Sequence, residues 1–99
     1  MNEASKEGYM SVSGRVQVLN EVSVGPEDGW RLCFQWCRYV YDSGELEDGY
    51  RFIWRRPDGS LQAARGQARL PSVRVITELL QMAKSQKWDQ HVGTHDDAY

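Results

Sequence analysis

"WRLCFQWCRYVY", Trp30 to Tyr41, is the stretch on which the fold turns. As a strand it places Trp30, Leu32, Phe34, Trp36 and Val40 on one face, and Arg31, Cys33, Gln35, Cys37, Tyr39 and Tyr41 on the other. As a helix it gathers Trp30, Cys33, Phe34, Cys37 and Tyr41 on one stripe. Composition decides between them. Five aromatics in twelve residues fit a pleated surface, and the strong helix formers Ala, Glu and Lys are absent. A strand here makes the domain a sheet protein.

The neighbouring segments extend that sheet. Upstream, "RVQVLNEVSV" from Arg15 alternates, with Val16, Val18, Val22 and Val24 on one parity and Arg15, Gln17, Glu21 and Ser23 on the other. Asn20 and Leu19 break the pattern, one polar among the inward positions and one apolar among the outward. "GPEDG" ends the strand as a turn cluster. Downstream, "DSGELEDG" reads as an acidic loop.

Next comes "RFIWRRPDGSLQAAR", Arg51 to Arg65. In Pro57-Asp58-Gly59, Pro presets φ and Gly accepts a positive φ, as a three-residue hairpin loop requires. The register then follows. Arg56 faces Ser60, Arg55 Leu61, Trp54 Gln62, Ile53 Ala63, Phe52 Ala64 and Arg51 Arg65. Phe52, Trp54 and Ala64 turn inward, while Arg51, Arg55 and Arg65 flank Ile53 on the opposite face.

After Pro71, Ser72 is a helix N-cap. Val73, Ile76, Leu79, Leu80 and Ala83 recur at helical spacing, with Val75 and Met82 beside them. Trp88 is expected to fold back on the sheet, and "DQHVGTHDDAY" to form a flexible polar tail. The expectation is an α+β domain over residues 13–88, between flexible ends at 1–12 and 89–99. It consists of an antiparallel sheet of three to four strands, with a single C-terminal helix packed on one face.

Length and charge bound what such a domain does. Ninety-nine residues suit one small domain, and no apolar run approaches the ~20 residues of a membrane span. The polar start, "MNEASKEGYMS", lacks the apolar core of a signal peptide, so a cytoplasmic location without membrane attachment is expected. Along a strand, Cys33 and Cys37 stand about 13 Å apart, too far for a disulfide. The net charge of −2 is divided unevenly. Residues 1–50 carry −5 and residues 51–75 carry +5, the latter entirely through arginine.

Four chemistries bear on those residues. Arginines interleaved with aromatics hold single-stranded nucleic acids, guanidinium to phosphate and base on ring. An acidic chain steers a polyanion weakly, however, and a solvated hairpin face is the plainer reading. His91, His95, Asp96 and Asp97 would need a helix to converge on a metal, and Gly93 argues against one, so no metal is expected. No nucleophile, base and carboxylate converge by motif, and no phosphate-cradling loop exists; neither catalysis nor a cofactor is expected. The face away from the helix, carrying Tyr39, Tyr41, Arg51, Ile53, Arg55 and Arg65, combines the residue types enriched at protein interfaces. A protein partner or weak homo-oligomer is the first expectation, and a nucleic acid the second.

Residues 49–88, "GYRFIWRRPDGSLQAARGQARLPS" with the helix that follows, resemble small uncharacterised bacterial proteins. In these, a hairpin with a "DG" turn leads through a short loop into one C-terminal helix. The resemblance implies a bacterial origin and the same sheet-plus-helix layout. It implies no activity and assigns no functional residues.

Overall fold

A computed structural model of the chain describes residues 14–62 and 68–94. Its elements run β1 (Gly14–Val24), β2 (Arg31–Tyr41), β3 (Leu46–Arg55) and α1 (Val73–Ser85). The strands form one antiparallel sheet in the order β1-β2-β3, with α1, the one helix among the described residues, packed against it. The α+β layout read from the sequence is the one observed.

Trp30–Tyr41 is a strand from Arg31 onward, and its parity holds. Leu32, Phe34 and Trp36 are buried on the helix side, where Val22, Leu79, Ala83 and Trp88 complete the core. Phe52, Trp54 and Tyr50 of β3 pack against that cluster from one flank. Aromatic contacts dominate it. The rings of Phe34 and Tyr50 lie 5.2 Å apart and nearly parallel, and Phe34 meets Phe52 at 4.9 Å and Trp88 at 5.5 Å.

Two turns of the same construction set the register. Each is a three-residue loop whose last residue is a glycine at positive φ: Gly44 at 94° and Gly59 at 91°. The first joins β2 to β3, with the Tyr41 N–H donating to the Glu45 carbonyl at 3.0 Å. The second closes the expected Pro57-Asp58-Gly59 hairpin. There the Arg56 N–H donates to the Ser60 carbonyl at 2.7 Å, and the Gln62 N–H to the Trp54 carbonyl at 2.8 Å. Leu61 bridges Arg55, as the register required. The pairings expected for Ala63, Ala64 and Arg65 lie outside the described residues.

Four readings are corrected. The acidic loop is shorter than expected, because β3 begins at Leu46 and carries Glu47 and Asp48 within the strand, opposite Tyr39 and Arg38. β1 does not keep one parity, since a bulge between Val18 and Asn20 leaves Leu19 unpaired and shifts the register. The helix is rotated from its expected stripe. Leu79 and Ala83 are buried and Val75 and Met82 pack on the core, whereas Val73 is 77% exposed and Leu80 45%. Ser72 caps the helix as expected, its hydroxyl accepting from the Val75 N–H at 3.2 Å.

Lastly, the tail expected from residue 89 is, through Thr94, laid against β3. Asp48 and Thr94 exchange two hydrogen bonds of 2.7 and 2.9 Å, and the Tyr50 hydroxyl donates to the Trp88 carbonyl and accepts from the His91 N–H. The His91 ring stacks on Trp36 at 4.7 Å. Polar sequence concealed these contacts because most are made by backbone groups.

Candidate interaction face

The face of the sheet away from α1 holds the residues singled out above, and it divides into two unlike halves. Where β1 pairs with the start of β2, the central row is Cys33, Gln35 and Cys37, all fully buried. Gln35 sits in a polar network. Its amide donates to Glu21 Oε1 at 2.6 Å, and its carbonyl accepts from Arg51 Nε at 2.7 Å and from the Cys37 thiol at 3.6 Å. Arg55 closes the network from the far side, 2.6 Å from the same Glu21 oxygen, and donates also to the Gly59 carbonyl at 2.5 Å. A buried carboxamide with both ends satisfied is stabilising where an unsatisfied one would be costly.

That geometry redistributes the expected site residues. Arg51 and Arg55 lie on the expected face, but their guanidinium groups are engaged by Gln35 and Glu21. Ile53 is buried, so it lies beneath the surface rather than on it. Arg65 lies outside the described residues. Both thiols are buried, and that burial, with the nearby Glu21 carboxylate, pushes them up from their ordinary values. Such thiols are protonated and poorly reactive at neutral pH.

The second half has a different character. Beyond the bulge the register reads Val18 opposite Cys37, Val16 opposite Tyr39 and Gly14 opposite Tyr41. Val16 and Val18 therefore share a face with the two tyrosines and not with the core. They are 39% and 41% exposed, and Tyr39 and Tyr41 are half-buried. The result is a strip of β-branched and aromatic side chains across the end of the sheet. The sequence reading assigned both valines to the core. The signal that would have placed them was present in the offending pair Leu19-Asn20, where the alternation slips by one.

Within the strip, Tyr41 is fixed by its hydroxyl, which donates to Glu47 Oε1 at 2.7 Å. This bond to a carboxylate, aided by burial, pushes the phenol up to about 12. The neutral phenol is the form the fold favours. Its contribution to stability is complete below the unfolded value near 10, and is lost as pH rises through about 12. Ultraviolet titration should show one tyrosine ionising about two units above the usual phenol range. Glu47→Gln should move that titration down, and Tyr41→Phe should remove it. An unchanged profile in both variants would detach Tyr41 from Glu47.

Elsewhere the chemistry is sparse. Arg38 grips Asp48 through Nε at 2.8 Å and Nη2 at 3.1 Å, which holds the carboxyl below its usual range. A groove of about 440 Å³ runs between α1 and the sheet, lined by Phe34, Tyr50 and Leu80, with Lys84 and Asp89 among its other residues. Among the described residues no three His, Cys, Asp or Glu side chains converge as a metal site, and no helix is long and apolar enough to cross a membrane. His95, Asp96 and Asp97 lie outside the described residues. No family model, curated protein or solved structure matches this chain.

Proposed function

We propose that this is a small binding domain that acts by associating with protein, through the strip formed by Val16, Val18, Tyr39 and Tyr41. The observation that carries the reading is the bulge at Leu19. Without it, Val16 and Val18 would face the helix side along with Val22 and Val24; with it, they stand on the opposite face beside two tyrosines. Adjacent half-exposed apolar and aromatic side chains on a small domain are the composition of an association surface. On the β3 side Glu47, opposite Tyr39 and bonded to the Tyr41 hydroxyl, supplies a polar border to that apolar centre.

The alternative, a single-stranded nucleic-acid platform built on the arginine hairpin, draws less support. Arg51 and Arg55 are tied to neutral and acidic partners within the domain, and a phosphate would have to displace those bonds.

The test compares the protein with a Val16→Ser, Tyr39→Ser double variant, by sedimentation and by capture from extract of the source cells. The variant should melt cooperatively, because both positions are partly exposed, yet lose the associations that the parent protein makes. A variant that retains every one of them would overturn the reading.

A further inference from the structure

The strip runs to the outer edge of β1, and the three strands differ in how their edges are used. β2 is central. The outer edge of β3 is engaged at both ends, by Leu61 and Gln62 on one side and Thr94 on the other. Along Gly14 to Val18 nothing among the described residues pairs with the outer edge of β1. An edge of this kind presents a row of backbone donors and acceptors to any further strand.

We infer that this edge pairs with the same edge of a second copy of the chain, antiparallel and centred on Val16, to give a six-stranded sheet. The inference rests on the association reading above and names its partner.

Register and charge select the second copy and its alignment. A two-fold axis perpendicular to the sheet keeps each face continuous, so helix-side residues meet helix-side residues. Centred on Val16, the alignment sets Val16 against Val16 of the second copy, Arg15 against Gln17, and Gly14 against Val18. No like charges meet. The row Tyr39-Val16 then continues into Val16-Tyr39 of the second copy, one apolar row across the junction. Centring on Arg15 instead would set two guanidinium groups against each other. Centring on Gln17 or beyond would carry the ladder across the bulge, where pairing is disrupted. Five residues on each side is a short ladder, so the association is weak and seen at high concentration.

Sedimentation from micromolar to millimolar concentration should show a monomer giving way to a dimer. Val16→Lys should abolish the dimer by placing two ammonium groups on the axis, with little change in melting. Val16→Cys should cross-link to itself under mild oxidation, since opposed strand residues stand about 4.5–5.5 Å apart at Cα. Val73→Cys, on the exposed helix surface, gives the collisional background. The Val16→Cys rate should exceed that background by about ten-fold or more, and the excess should vanish on dilution.

A strict monomer at millimolar concentration would overturn the inference while leaving the strip available to a foreign partner. A dimer that Tyr39→Ser abolishes, but in which Val16→Cys cross-links no faster than Val73→Cys, would also overturn it. That result would keep the strip as an interface and replace edge pairing by packing of one face on another. Sensitivity to neither Val16→Lys nor Tyr39→Ser would remove both readings together.

Discussion

Phe34→Ala should destabilise the domain by about 3–5 kcal/mol, the cost of emptying a large aromatic site in a core. Phe34 is 6% exposed on the central strand, and its ring touches Tyr50, Phe52 and Trp88. These partners come from β3 and from the segment after α1, so the deletion loosens both of them from β2 at once. A domain of this size has only ~5–15 kcal/mol in total. The melting midpoint should fall by about 12 °C or more, or cooperativity should be lost. Val73→Ala is the matched control. It removes a residue that sequence periodicity places in the core but that is 77% exposed, and the expected change is under ~0.5 kcal/mol. Calorimetry of both variants decides whether the helix is rotated as described. Equal losses would mean that Val73 is buried after all.

Gln35→Glu should be the most damaging change on the opposite face, and its effect should depend on pH. Gln35 is fully buried, and its amide donates to the Glu21 carboxylate at 2.6 Å. An introduced carboxyl would lose that donor, stand beside a like charge and be cut off from water. Burial and Glu21 both raise its value in the folded state, against the favourable Arg51 contact. The penalty is therefore full above the folded value and vanishes as pH falls below the unfolded value near 4.3. At neutral pH the loss should exceed about 3 kcal/mol, the scale for an uncompensated buried charge. Gln35→Leu should cost less, about 1–3 kcal/mol, since Glu21 and Arg51 lose a partner but are themselves half-buried and reach water. Its effect should vary little between pH 5 and 7. Denaturant unfolding of both variants at those two pH values is the measurement. A flat profile for Gln35→Glu would show that position 35 reaches solvent.

The sequence by itself determined the central strand, the Pro57-Asp58-Gly59 turn and the helix cap, because each depends on chemistry within a few residues. Period-two alternation in Trp30–Tyr41 fixed which side chains of β2 face the helix. Pro57-Asp58-Gly59 fixed the pairing of Arg55 with Leu61 through one glycine at positive φ. Ser72 fixed the start of α1. The candidate face was legible to the extent that Tyr39, Tyr41, Arg51 and Arg55 were placed on the side away from the helix.

Only the tertiary structure decided the rest. Leu19 slips out of the ladder while β1 buries Val22 and packs Val24 on the core, and its first half, Gly14 to Leu19, stays exposed among the described residues. Whether such a slip occurs depends on what lies above the strand, which alternation does not encode. The rotation of α1 has the same origin. Val73, Leu79 and Leu80 are equally apolar in sequence, and the sheet beneath accepts Leu79 and Ala83. Arg51 and Arg55 read as part of a solvated hairpin face until the fold brought Gln35 and Glu21, from two other strands, within hydrogen-bonding distance.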